Sequence, residues 1–256
     1  MDKPLRIYQC EDTFNGILSA VYDAGISGYG HDYIRIQPVS NNYNIELFAE
    51  YINVDTSEKK ADNVLDAIRT KISYEAYKFV LNALISDDDS KGDIIYQFVT
   101  YGFTIGKNIT KAMQLDCVEK IFKLKLSVQN EAHRFIEFLR FKELQNKVLF
   151  AQMEPHHHIL PIVTNHFADR FNAQNFIIHD LKHNEASFYR NDGLWEIKLL
   201  NEDETAKLNE LASEDEEYAD LWKIFFEATS TAERENYKLQ RGNLPIRLRK
   251  HMTEFE

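Results

Sequence analysis

The feature that most constrains the fold is a series of short strand-like runs in the second half of the chain. FLRFKELQNKVLFAQMEP contains two such runs around Gln145 and Asn146, a spacing that predicts a hairpin with its turn at those residues. NFIIHDL, EASFYR and LWEIKLL follow, separated by Lys-His-Asn and Asn-Asp-Gly turns. The pattern predicts a small antiparallel sheet of about five strands.

Helical patterns surround these runs. In the first half, RIYQ predicts a strand, and EDTFNGILSAVYDAG predicts an amphipathic helix capped by Asp12 or Thr13. Short strands in SGYGHDYIRIQP and IELFAEYINVDT come next, and three further helices follow them. The inward positions of the first of these helices are predicted to be Val64, Leu65, Ile68 and Ile72.

In the second half, ILPIVTNHFADRF predicts a short helix, and the chain is helical again from Glu202. The predicted fold class is therefore α+β, with a mostly helical N-terminal half and a small antiparallel sheet flanked by helices in the C-terminal half. Nothing in the pattern indicates a parallel nucleotide-binding sheet. The polar segment DDDSKGD predicts a boundary between an N-terminal α+β region, residues 1–90, and a C-terminal domain, residues 91–256.

Composition and motifs exclude several classes of protein. No apolar run approaches the length of a membrane span, and the N-terminus lacks the layout of a signal peptide, so we expect a cytoplasmic protein without membrane contact. Cys10 and Cys117 are far apart, which argues against a disulfide framework, a structural zinc site and a cysteine-ligated cluster. Dinucleotide, P-loop, hydrolase and zinc-deaminase motifs are absent from the sequence, and we expect no cofactor and no metal.

Charge is distributed unevenly in this acidic chain. The net charge of −11 argues against a general nucleic-acid binder. However, residues 107–147 and the C-terminal tail are basic, while residues 202–220 are strongly acidic. The tail residues that could contact phosphate are Arg241, Arg247, Arg249 and Lys250. A basic helix docked on an acidic protein surface is an equally good interpretation of the tail.

Two clusters combine histidine, arginine and phenylalanine. In EAHRFIEFLRF, a helix continuing through the segment would place His133, Glu137 and Arg140 on one face, while Arg134 and Arg140 could hold phosphate or carboxylate. In HFADRF, His166 and Arg170 are four residues apart and would share a helix face. Both clusters could equally be solvated faces over buried phenylalanines.

The triple histidine in EPHHHIL invites a metal site, but consecutive residues of an extended segment point to opposite sides. A surface turn is the better interpretation of these residues.

EAHRFIEFLRF, EPHHHILPIVTNHFADRF, FIIHD and RENYKLQRGNLP together resemble a bacterial family of probable DNA metabolism proteins, whose C-terminal region is the domain of unknown function 4130. The resemblance runs from about residue 90 to the end, and DTFNGILSAVYDA resembles the family's opening. The matching positions are Glu131, His133, Arg134, Phe138, Arg140, Phe141, Pro155, His166, Phe167, Arg170 and Phe171. The chain departs from the pattern at Glu137, where the family has glycine, and the triple histidine is not part of it.

The resemblance implies a setting in DNA metabolism. Members of the family are encoded beside a radical S-adenosylmethionine (SAM) protein, and related longer proteins carry a uracil-DNA glycosylase domain. We therefore expect an accessory protein of bacterial DNA repair or modification, which binds DNA and works with a radical SAM partner. Arg134, Arg140 and Arg170 would contact phosphate.

Two alternatives remain open. The chain could itself be a nucleic-acid hydrolase or lyase, with His133, His166 and Glu131 as candidate catalytic residues. It could also be a protein interaction module that does not contact DNA.

Overall fold

The computed structural model describes residues 3–39, 46–144 and 147–212, with side chains described through residue 210. The chain divides into two compact units, Met1–Gln129 and Asn130–Glu256, referred to below as unit 1 and unit 2. Among the described residues, no helix is both long enough and apolar enough to cross a membrane.

Unit 1 is built around a three-stranded sheet. Its elements are β1 (Leu5–Glu11), α1 (Phe14–Ile26), β2 (Ile34–Val39), β3 (Ala49–Asn53), α2 (Glu58–Ala67), α3 (Tyr74–Leu84), α4 (Lys91–Ile105) and the first part of α5 (Asp116–Phe138). The strand order is β2-β1-β3, and β1 pairs in parallel with both neighbours. The parallel direction of these pairings cannot be predicted from the sequence, because the period of a strand carries no information on the direction of its partner. Helix α1 is the crossover that returns the chain so that β2 can run parallel to β1.

The helices of unit 1 form where the sequence predicts them. Thr13 caps α1, since its side-chain oxygen accepts the N–H of Gly16 at 3.0 Å. Three of the four predicted inward positions are buried, namely Val64, Ile68 and Ile72, whereas Leu65 is partly buried. A short π-helical segment, Ile68–Ile72, ends this stretch.

The units divide at Gln129, whereas the sequence predicts a division after residue 90. Helix α4 lies against β2 so closely that a Cβ atom on Gly92 would be 2.8 Å from the carbonyl oxygen of Ile36. The Asp93 carboxylate also accepts the N–H of Ile36 at 2.6 Å. These contacts keep α4 with the sheet of unit 1.

Unit 2 contains the predicted five-stranded sheet. Its elements after α5 are β4 (Lys142–Glu143), β5 (Leu149–Met153), α6 (Leu160–Arg170), β6 (Phe176–Asp180), β7 (Glu185–Tyr189), β8 (Trp195–Leu199) and α7 (Glu202–Ala212). The strand order is β4-β5-β6-β7-β8. Three of its pairings are antiparallel, as predicted, and the pairing of β5 with β6 is parallel because α6 connects them as a crossover.

The two faces of this sheet are covered by different helices. Phe176 of β6 lies on the face that contacts α6, where its ring is 5.9 Å from that of Phe141. On the opposite face, Phe150 and Ile177 pack in a cluster with Leu208 of α7. Strand β6 is therefore covered on both faces, which explains the nearly continuous apolar run FII in its sequence.

Candidate functional site

An aromatic cluster supports the two predicted arginine-containing motifs. The Phe141 ring makes edge contacts with Phe167 and Phe171, with centroid distances of 4.8 and 5.1 Å. Phe176 joins the cluster and stacks on Tyr189 at 4.6 Å. Phe167 and Phe176 are buried, while Phe141 and Phe171 are half-buried. The predicted phenylalanine core is thus present, and its outer members reach the surface.

Arg140 and Arg170 each directly precede one of the half-buried phenylalanines. Arg170 is exposed, and its guanidinium carbon lies 5.7 Å from the centroid of the Phe171 ring. Arg140 is half-buried, and its Nη1 donates to the carbonyl oxygen of Phe138 at 3.3 Å. We call Arg140, Phe141, Arg170 and Phe171 the Arg–Phe surface. Two arginines are therefore joined through the backbone to phenylalanines whose rings contact each other in one aromatic cluster.

The remaining predicted residues of these motifs lie on helices. His133 is 72% exposed, and its Nε2 is 3.0 Å from Glu137, one turn along α5. Arg134 is half-buried. His166 is exposed on α6 with its ring edge-on to Phe167 at 5.2 Å. Helix α5 ends at Phe138, so Arg140 does not continue the helical face of His133 and Glu137 as the sequence suggested.

The carboxylate of Glu131, a candidate catalytic residue, accepts hydrogen bonds from backbone N–H groups. Its side chain is buried, and both carboxylate oxygens accept the N–H of His156 at 3.0 Å. One oxygen also accepts the N–H of His157 at 2.7 Å. A carboxylate that already accepts several backbone N–H groups is suited to holding a turn, and it is poorly placed to remove a proton from a substrate.

The triple histidine is not the surface turn that the sequence suggested. His157 is only 5% exposed, although His156 is exposed. Lys182 holds the turn from outside by donating its ammonium group to the carbonyl oxygen of His156 at 2.8 Å. The turn lies against the buried carboxylate of Glu131, which accepts its backbone N–H groups. No local sequence pattern predicts this contact, because Glu131 and His156 are 25 positions apart.

A carboxylate–imidazole pair lies in the same unit. Asp180 is fully buried, and its Oδ2 is 2.7 Å from Nδ1 of His183. Its Oδ1 accepts the N–H groups of Lys182 and His183, each at 3.1 Å. This arrangement fixes the imidazole so that Nδ1 donates to the carboxylate and Nε2 carries the lone pair. Nε2 is buried without a hydrogen-bond partner among the described residues.

The ring of His158 lies 3.8 Å from that of His183, at an interplanar angle of 31°. We call Glu131, His156, His157, His158, Asp180 and His183 the histidine cluster. Beside Asp180, burial raises the pKa of Glu185, and the negative charge of Asp180 adds to that shift while His183 opposes it. This cluster is not evident from the sequence, because His156–His158 and FIIHD lie in separate segments that only the fold brings together.

Cavities lie in both units. One of about 350 Å³ in unit 2 is lined by Glu154, Pro155, His156, Leu181 and Lys182. One of about 710 Å³ in unit 1 contains His31, whose Nδ1 is 2.8 Å from the hydroxyl of Tyr96. Burial raises the pKa of that tyrosine to about 12. Within the described ranges, no group of three or more histidine, cysteine or acidic side chains is arranged to hold a metal ion.

The chain matches the family model of DUF4130, a domain of unknown function, over residues 89–254. This span covers well over half of the chain. The chain belongs to the DUF4130 family. The match includes all four residues of the Arg–Phe surface and the whole histidine cluster, so both lie in the part that defines the family.

No match was found among curated proteins. Among solved structures, the chain is similar to a DHH domain titled "Member of s1p family of ribosomal proteins", at 10% identity over 74% of each chain, with a TM-score of 0.33. A TM-score this low carries no argument about fold or function. The predicted tail contacts Arg241, Arg247, Arg249 and Lys250 lie within the DUF4130 match but outside the described residues.

Proposed function

We propose that this DUF4130 protein is an accessory protein of bacterial DNA repair or modification, which binds DNA and works with a radical SAM protein. The observation that supports DNA binding is the Arg–Phe surface. Arginine presents a planar fork of donors that matches the oxygens of a phosphate group. Arg170 is exposed at this surface, and Arg140 is anchored beside it.

The aromatic cluster gives this surface its rigidity. Phe141 and Phe171 contact each other, so the backbone positions of the arginines that precede them are fixed relative to the same core. A guanidinium held in place loses less conformational entropy on binding phosphate than one on a free loop. Exposed His166, four residues before Arg170 on α6, adds a further hydrogen-bonding group near the bound strand.

The division of labour with a radical SAM partner follows from the cysteine content. The chain has two cysteines, fewer than the three that ligate the cluster of a radical SAM enzyme. In this proposal, the partner performs the chemistry and the DUF4130 protein holds the DNA. The partner itself is inferred from the resemblance to the family of probable DNA metabolism proteins.

The test is a double variant, Arg140→Gln with Arg170→Gln. Fluorescence anisotropy of a labelled oligonucleotide, repeated across a salt series, should show weaker binding. It should also show a slope of log affinity against log salt that is reduced by about 2, because two phosphate contacts are lost. Arg190→Gln is the matched control, since Arg190 is an exposed arginine of the same unit that pairs with Asp192. An unchanged salt slope in the double variant would contradict the proposal.

A second candidate function, hydrolysis or lysis of nucleic acid by this chain, is favoured by the Asp180–His183 pair. A buried carboxylate that orients an imidazole is the arrangement by which many enzymes prepare a general base. In this second function, His183 would take that role in place of the exposed His133 and His166, and its buried Nε2 would have to become accessible to the substrate. Cleavage of a labelled oligonucleotide by the purified chain, lost in His183→Gln, would support this function; absence of cleavage by the wild type would reject it.

A further inference from the structure

The outer edge of β8 is open within the part of the chain that the structure describes, because β8 is the last strand of the sheet. The hydrogen bonds to β7 fix which backbone groups face outward. Arg190 donates to the carbonyl of Leu194, and Leu200 donates to that of Asn184, each at 2.9 Å. The even-numbered residues of β8 therefore bond to β7, and the N–H and C=O groups of Trp195, Ile197 and Leu199 point away from the sheet.

Of the other three edges of the two described sheets, those of β2 and β4 are protected. At the outer edge of β2, the Asp93 side chain occupies the N–H of Ile36, and Pro38 has no N–H to offer. Strand β4, at the opposite end of the unit 2 sheet, is only two residues long. Proline, side-chain capping and short length are devices that keep a sheet edge from pairing with another chain. Among the described residues, β8 is five residues long, contains no proline and shows no side-chain bond to its outward N–H groups, although it carries the charged residues Glu196 and Lys198.

β8 also exposes apolar side chains. Trp195, Ile197 and Leu199 alternate onto the same face as Tyr189 and Ser187 of β7, the face that α6 covers further inward. Trp195 is 37% exposed and Leu199 is 71% exposed. The helix therefore does not cover this part of the sheet, and the strand presents both unpaired backbone groups and uncovered apolar surface.

The sequence of β8, WEIKL, is complementary to itself in an antiparallel arrangement. With Ile197 opposite Ile197 of a second copy, Trp195 faces the other copy's Leu199, and Glu196 faces its Lys198. The outward backbone N–H and C=O groups of residues 195, 197 and 199 would bond to the same groups of the second copy. Glu196 and Lys198 then fall in the non-hydrogen-bonded pairs, where opposite side chains are closest.

We propose that β8 pairs antiparallel with β8 of a second copy of this chain, centred on Ile197, so that the two five-stranded sheets become continuous. Charge complementarity supports a second copy as the occupant, because both ion pairs form only when the two strands have this same sequence in this register. Lys198, which pairs with Glu204 of α7 in its own chain, would then lie between two carboxylates. The pairing adds about six backbone hydrogen bonds. An interface of this size is small, so we expect a dissociation constant of about 1–100 µM.

The test uses charge reversal on the full chain, with the molar mass measured by sedimentation equilibrium against the 30.0 kDa of one chain. The wild type should dimerise. Glu196→Lys and Lys198→Glu should each be monomeric, because each places like charges opposite one another in both pairs. An equimolar mixture of the two variants should form a heterodimer, and the double variant Glu196→Lys with Lys198→Glu should dimerise again.

Lys59→Glu is the control, since Lys59 is an exposed lysine on α2 of unit 1. It should leave the dimer intact. A wild type that stays monomeric at about 100 µM, the upper end of the expected range of dissociation constants, would overturn the proposal. So would single variants that dimerise as the wild type does, or a mixture that does not associate. If Lys198→Glu fails to fold because it places a carboxylate beside Glu204, Glu196→Lys alone decides, since it leaves the Lys198–Glu204 pair intact.

Discussion

The histidine cluster and the Arg–Phe surface both combine charged side chains with rings, but they differ in which of these groups are buried. In the histidine cluster, Glu131 and Asp180 are buried, and their oxygens are taken up by backbone and imidazole N–H groups. At the Arg–Phe surface, the aromatic rings are turned inward, and Arg170 projects from them into solvent. Side chains that stabilise the fold are therefore distinguished from side chains available to a ligand by their burial and by whether their polar atoms already have hydrogen-bond partners.

The largest effect on stability is expected at Glu131. Glu131→Ala leaves the buried N–H of His157 and the partly buried N–H of His156 without their acceptor, which should cost about 3 kcal/mol of unfolding free energy. Urea denaturation followed by tryptophan fluorescence measures this in unit 2, because both tryptophans, Trp195 and Trp222, are in that unit. Glu137→Ala, which removes an exposed partner of His133, is the control and should cost less than about 0.5 kcal/mol. Equal losses of unfolding free energy in the two variants would contradict the claim that the buried Glu131 stabilises the fold more than the exposed Glu137 does.

A smaller loss is expected at Asp180. Asp180→Asn keeps the shape of the side chain but replaces a charged acceptor of three N–H groups by a neutral one, at a cost of about 1–2 kcal/mol. The same denaturation experiment measures it, and the DNA affinity of the folded variant should equal that of the wild type. A variant that is as stable as the wild type but has lost DNA binding would show that Asp180 contributes to DNA binding and not to the stability of the fold.

Glu185 gives a pH-dependent effect. Burial and the neighbouring Asp180 raise the pKa of Glu185 above its ordinary value of 4.5, so its ionised form is disfavoured in the folded state. The resulting destabilisation is fully present above the folded pKa and disappears as the pH falls below the unfolded value. Glu185→Gln should therefore raise the melting temperature at pH 7, and the difference from the wild type should vanish near pH 4. A constant difference across that range would show that the titration of Glu185 does not contribute.

The smallest effect on stability is expected at Arg170. Its side chain is exposed, so Arg170→Gln should change the unfolding free energy by less than about 0.5 kcal/mol. DNA affinity should nevertheless fall, since a phosphate contact is lost. Loss of stability comparable to that of Glu131→Ala would mean that Arg170 belongs to the fold and not to a binding surface.

Much of the fold follows from the sequence alone, because the burial of apolar residues sets the period of each element. Val64, Ile68 and Ile72 are buried on the predicted helix, and NFIIHDL, EASFYR and LWEIKLL contain the last three strands. Strand direction is not encoded in that period, which is why the parallel pairings of β1 and of β5 with β6 were not predicted.

The candidate site shows the same limit. His166 and Arg170 lie on α6 as the four-residue spacing predicts, because the spacing is local. The contacts of Glu131 with the triple histidine and of His158 with His183 join residues about 25 positions apart, and only the fold brings them together. The buried His157 was therefore predicted as a surface residue.

The measurement that most directly tests DNA binding by this DUF4130 protein is fluorescence anisotropy of single-stranded and duplex oligonucleotides with the wild-type chain, repeated from low to high salt. We predict binding whose log affinity falls steeply and linearly with log salt, as expected when basic side chains displace counterions from phosphates. Absence of binding to either oligonucleotide at the lowest salt concentration would contradict the proposal and favour a protein interaction module.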